Sequence, residues 1–102
     1  MQRDFIRALE VIKRVLGQHD LTLDGVVDRI SQEADVPTAE ILSHSRRESV
    51  VYLRLGAYYV LREKFGVSFP QIAARLGRDN HTTIIHGVRR IQYGLERYGD
   101  EL

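Results

Sequence analysis

No cysteine occurs in the 102 residues, which excludes disulfides and thiolate metal sites. Tryptophan is also absent, and proline appears only at Pro37 and Pro70, so long stretches carry no helix breaker. No apolar run approaches the roughly 20 residues that a bilayer-spanning helix requires. The opening "MQRDFIRALE" has no signal-peptide hydrophobic core, from which we expect a cytoplasmic protein. A glycine-rich Walker loop is missing, so no ATP-driven step is inferred. Strand-like alternation of apolar and polar residues is not found either.

What remains is an ordinary globular composition, 43% hydrophobic and 28% charged, with the length of one domain. The formal net charge of +1 conceals a division. Residues 1–44 hold five Lys/Arg against eight Asp/Glu, a balance of −3, whereas residues 45–102 hold ten against six, a balance of +4. A basic excess confined to one half suits a surface that meets a polyanion, although a solvated charged face produces the same count.

The periodicity is helical throughout, and the expected fold class is all-α. Phe5, Leu9, Ile12 and Leu16 form one apolar face of an amphipathic helix over 3–16, stopped by Gly17. Thr22 is expected to cap a second helix bearing Val26, Val27, Ile30 and Ala34. Pro37 breaks it, and Thr38 is expected to cap a single turn carrying Ile41 and Leu42. A long helix from about Arg47 to Phe65 carries Val50, Leu53, Ala57, Leu61 and Phe65 in one stripe, with Gly66 beyond. In "SFPQ", Ser68 and Gln71 have capping-box spacing, and Pro70 lies in the first turn where a missing N–H costs nothing. Gly77 ends that short helix, and Ile84, Val88, Ile91 and Leu95 mark another that begins at His81.

A short helix, a glycine turn and a longer helix match the helix-turn-helix. In that motif the second helix enters the major groove and its first residues touch base edges. "DNHTT" at that end sets an amide, an imidazole and two hydroxyls side by side, a varied donor and acceptor set of the kind base edges call for. A plain helical hairpin with a polar capped end is the bland alternative.

The residues also carry a family resemblance. "SHSRRESVVYLRLGAYYVLREKFGVSFPQIAARLGRDNHTTIIHGVRRI" resembles the C-terminal DNA-binding domain of the bacterial replication initiator DnaA, whose signature is of the form "GGRDHTTVLHACRKI" after a basic loop. The likeness runs over about 21–92, with the "HTT" block and the upstream Ser-x-Pro as its most specific parts. It implies a domain over 21–97, preceded by a connecting or packing helix over 1–20 and followed by a tail over 98–102.

The resemblance also implies site residues. Arg46, with Arg47 beside it in the basic loop, aligns with the arginine that enters the minor groove, where narrow, electronegative geometry favours a guanidinium. Asn80, His81 and Thr82 align with the major-groove triplet, and Ile85 lies one turn on, within range of a thymine methyl. Arg54, Arg62 and Thr83 align with contacts to the DNA backbone. Three departures stand out. Asn80 replaces the family's aspartate and Asp79 its arginine, Tyr52 and Leu53 stand where Arg and Pro are common, and no ATPase is expected ahead of the domain, since the 102 residues hold no Walker loop.

The expected activity is therefore sequence-specific binding of double-stranded DNA at initiator-box-like sites, in replication control or transcription regulation at the nucleoid. No cofactor, metal or catalytic step is expected. His81 and His86 are five residues apart, about 140° around a helix, whereas metal pairs favour i, i+4. Tyr58, Tyr59, Tyr93 and Tyr98 read as core-edge aromatics or as stacking platforms, and Arg89, Arg90 and Arg97 as a solvated face or phosphate contacts. The N-terminal helix either covers the core or offers a surface for self-association or a replication protein. The contrasting reading for the whole chain is a protein-interaction module that keeps this fold and regulates the initiator by contact.

Overall fold

The computed structural model describes residues 2–78 and 80–102, and among these six α-helices and no strand occur. They are α1 (Arg3–Leu16), α2 (Val26–Ala34), α3 (Thr38–Ile41), α4 (Glu48–Phe65), α5 (Phe69–Arg75) and α6 (His81–Tyr98), followed by a 3-10 turn, Gly99–Glu101. Among the described residues no helix is long and apolar enough to cross a membrane.

The central element is α4, with α1 and α6 packed along it. Its sequence suggests one apolar stripe, but Tyr52, Gly56, Tyr58 and Val60 are buried together with Val50, Leu53, Ala57 and Leu61. A helix flanked on several sides buries several faces, and amphipathicity then weakens as a signal. The helix runs unbroken through Tyr52 and Leu53. Tyr52 packs its ring 5.0 Å from that of Phe5, so this departure from the family pattern joins α4 to α1.

Two glycines set how closely α1 approaches. A Cβ on Gly56 of α4 would stand 2.5 Å from Ile12 Cγ1, and one on Gly94 of α6 would stand 2.5 Å from Phe5 Cζ. Helix backbones therefore meet α1 side chains with no intervening atom. Phe5, Ala8, Leu9, Val11, Ile12 and Val15 are all buried by this contact, so α1 is a wall of the core and its apolar face is occupied within the chain.

The smaller helices show where local signals were displaced. Thr22 does not cap α2. Its hydroxyl accepts the Gly25 N–H at 3.1 Å, closing a turn that must finish before the helix begins at Val26. Thr38 is the first residue of α3 rather than its cap, and its hydroxyl donates to Asp28 Oδ1 at 3.2 Å, tying α3 to α2. By contrast, the capping box of α5 forms as expected: Ser68 Oγ accepts from the Gln71 N–H and Gln71 Oε1 accepts from the Ser68 N–H. Gly66 takes the left-handed backbone after α4, with φ of 65°.

Candidate nucleic-acid interface

The turn between α5 and α6 is a Schellman motif. Gly77 adopts a φ of 67°, its N–H reaches the Ala74 carbonyl, and the Arg78 N–H reaches the Ala73 carbonyl at 2.7 Å. Glycine is needed there because a side chain in the left-handed region meets its own backbone. Beyond the turn, Asn80 opens α6 and its Oδ1 accepts the Thr82 N–H at 2.9 Å. That bond commits the amide oxygen as a helix cap, and the exposed side chain has Nδ2 left as its donor group.

Next to Asn80, His81, Thr82 and Thr83 are exposed, while Ile85 is half-buried one turn along. Among the described residues, none of these side chains except that of Asn80 forms a hydrogen bond. A helix mouth with an imidazole, two hydroxyls and an amide pointing at solvent is poorly explained by folding alone. Asp79, expected in the family's arginine position, lies outside the described residues.

The second component is the α3–α4 loop, 42–47, which carries Arg46 and Arg47. Both are exposed, and Arg47 also meets Glu40 Oε1 at 3.3 Å. The path of this loop is irregular, so its backbone groups need partners from elsewhere. Two serines serve its N–H groups: Ser43 Oγ accepts from Ser45 N and Ser45 Oγ from Arg47 N. Two arginines serve its carbonyls. Arg54 donates through Nε to Ile41 O at 2.8 Å and through Nη2 to Ser45 O at 3.2 Å. Arg78 donates to Ser43 O at 2.8 Å and Leu42 O at 3.4 Å, and its Nη1 lies 2.9 Å from His44 Nδ1. Because a guanidinium only donates, Nδ1 of His44 is the acceptor in this contact.

Arg54 thus departs from its expected place on a phosphate. Only 8% of it is exposed, and its guanidinium faces inward onto the loop. Burial, and then the neighbouring Arg78 charge, lower its pKa from the ordinary arginine value. The reason for its inward course is the carbonyls of Ile41 and Ser45, which come within reach only once α3 folds against α4. Arg62 is half-buried, with its guanidinium 4.5 Å above the Phe69 ring and Nη1 on Val67 O at 3.4 Å, so it braces the α4–α5 connection at the surface.

Sequence reasoning missed Arg78 and His44. Their partnership spans 34 residues, and no spacing rule links such positions. The remaining aromatic and basic residues of α4 and α6 divide as follows. Tyr58 is buried, Tyr59 and Tyr98 are half-buried, and Tyr93 is 53% exposed. Burial, then Glu63 and Glu96, raise the Tyr59 pKa. Arg90 lies 4.6 Å from the Phe5 ring and Arg97 5.7 Å from that of Tyr98, so both rest on aromatics of the domain itself. A groove of about 620 Å³ is lined by Glu10, Lys13, Arg14, Gly17, Gln18, Glu33 and Leu102 and shares no residue with this edge.

Comparison with known proteins agrees with this geometry. Residues 23–91 match the profile of the family described as "Bacterial dnaA protein helix-turn-helix". The chromosomal replication initiator protein DnaA of Thermomicrobium roseum is 37% identical over 78 residues, covering 76% of this chain and 17% of the initiator. The corresponding protein of Geotalea daltonii is 30% identical over 96 residues, and that of Lachnoclostridium phytofermentans 27% over 97. The chain spans about a fifth of the length of these relatives. No solved structure matches it.

Proposed function

The chain belongs to the bacterial DnaA helix-turn-helix family, and from that premise we propose that it binds double-stranded DNA sequence-specifically, at sites resembling initiator boxes. The observation that carries this reading is the outward-facing mouth of α6 joined through Arg78 to the loop of Arg46. One element offers varied donors and acceptors of the size a major groove admits, and the other offers a free guanidinium for the adjoining minor groove.

In this proposal His81 and Thr82 contact base edges, together with the Nδ2 group of Asn80, and Ile85 meets a thymine methyl. Arg46 enters the minor groove. Arg47, Arg62 and Thr83 set register on phosphates, where charge and hydroxyl act without regard to sequence. Arg54 supports the loop that presents Arg46. Replacing the family's aspartate with Asn80 exchanges an acceptor for a donor, so the base preference at that step shifts away from cytosine N4. Recognition involves no covalent chemistry. Occupancy of boxes at the nucleoid then serves replication control or transcription regulation.

Selection of bound duplexes from a random pool, with an initiator box as control, tests the reading. One enriched motif is expected, with a log–log salt slope near −0.9 per phosphate neutralised. Arg46→Ala should weaken that motif by about 1–3 kcal/mol, concentrated at one position. Absence of any duplex binding at low salt overturns the proposal and favours a protein-contact module.

A further inference from the structure

Arg78 occupies the joint between the two halves of this DNA-binding edge. Its backbone is fixed to the end of α5 by the bond from its N–H to Ala73 O, and Gly77 directs the chain into that position. Its guanidinium crosses to the other half and holds three consecutive residues of the α3–α4 loop, Leu42, Ser43 and His44. Arg46 follows only two residues later. The guanidinium is turned toward the protein, so its charge is directed at carbonyl dipoles rather than at a phosphate.

We propose that Arg78 is a positioning residue for DNA recognition: it fixes where Arg46 and Arg47 stand relative to His81 and Thr82. The inference rests on the reading of the chain as a duplex binder and assigns that site a residue that makes no DNA contact of its own. The physical basis is preorganisation. Two contacts on one rigid body engage a duplex together, because docking the first places the second at high effective concentration. A loop that must be ordered on binding loses that advantage. Arg54 holds this segment to α4 at Ile41 and Ser45. Between them Leu42 and Ser43 bond only to Thr38 and Glu40 of α3 and to Ser45 of the loop itself, so among the described hydrogen bonds those of Arg78 alone tie residues 42–44 to the helix-turn-helix. A planar fork is suited to gripping several acceptors at once, whereas a lysine offers one point of charge.

The test combines Arg78→Ala, Arg78→Lys and His44→Ala with Arg46→Ala, using the duplex selected for the unmodified chain. Arg78→Ala should weaken binding by about tenfold alone and by less than about twofold in the Arg46→Ala background. Equal losses in both backgrounds overturn the proposal. So does a salt slope that falls by about one when Arg78→Ala is added to Arg46→Ala, which marks a direct phosphate contact. In the free protein, amide exchange at residues 43–47 should accelerate by at least about tenfold in Arg78→Ala, while α4 and α6 keep their protection. His44→Ala should produce a smaller change in the same direction. Unchanged loop exchange, or full rescue by Arg78→Lys, overturns the clamp. Failure of the unmodified chain to bind any duplex removes the DNA reading and with it the positioning role, an outcome separate from loop exchange that ignores Arg78.

Discussion

Two joints in this molecule bring together segments far apart in sequence, and they are built from opposite materials. Where α1 lies against α4 and α6, Gly56 and Gly94 remove a side chain so that Ile12, Phe5 and Leu9 can press on bare helix. Where the α3–α4 loop meets the helix-turn-helix, Arg78 reaches acceptors on three loop residues and Arg54 bridges the last carbonyl of α3 and that of Ser45. The first joint is specified by shape and excludes water. The second is specified by directed hydrogen bonds, because an irregular backbone has polar groups that no apolar contact satisfies. The contrast separates stability from recognition: the dry joint holds the domain together, and the polar joint holds an exposed edge in one arrangement.

The largest expected effect lies in the dry joint. Ile12→Ala removes a fully buried side chain and should cost about 2–5 kcal/mol in denaturant unfolding, with the folded protein binding DNA as before. A fall in affinity beyond the unfolded fraction means that the joints are not separable. Gly56→Ala should cost about 1–3 kcal/mol through overpacking, reduced by up to about 1 kcal/mol of gained helix propensity. Its crowding arises at Ile12, so the same change should become stabilising in the Ile12→Ala background. A cost that persists there assigns the strain to another neighbour.

At the polar edge Asn80→Ala should lower stability by about 1 kcal/mol through the lost cap and also alter base preference, whereas Asn80→Asp keeps the cap and changes preference alone. A preference unaffected by either variant limits Asn80 to helix capping. The smallest effect belongs to an ion pair outside both joints. The Arg29 guanidinium hydrogen-bonds Asp20 and holds its carboxyl below the ordinary carboxylate value. A depressed folded pKa contributes stability above the unfolded pKa, and that contribution disappears as pH falls through the folded one. Asp20→Asn should therefore flatten only the acid end of a stability–pH curve, slightly, because exposed pairs are screened. A change near neutral pH sinks that assignment.

The dry joint and the polar one also differ in how much of them the sequence discloses. The helix over 3–16, the Ser68–Gln71 box, the glycine turn and the start of α6 at His81 were all legible, since each rests on contacts within about four residues. Thr22 and Thr38 were misread as caps. Each sits near a helix start, and a hydroxyl there bonds whichever partner the turn brings within reach. The exposed members of the candidate site, Arg46, Asn80, His81 and Thr82, were identified by family likeness, which carries position without contact. Arg54 matched the same pattern and turned inward, and Arg78 matched nothing.

By itself the sequence determined the helices, the helix-turn-helix and which half of the chain carries positive charge, because periodicity, caps and charge are local or additive properties. Only the tertiary structure decided that α1 belongs to the core, that α4 is buried on several faces, and that Arg54 and Arg78 face the loop instead of solvent. These outcomes depend on which carbonyls and apolar faces arrive from elsewhere in the chain; the acceptors of the two guanidiniums lie 9 to 36 positions away, and a guanidinium goes to the acceptors the fold leaves unpaired.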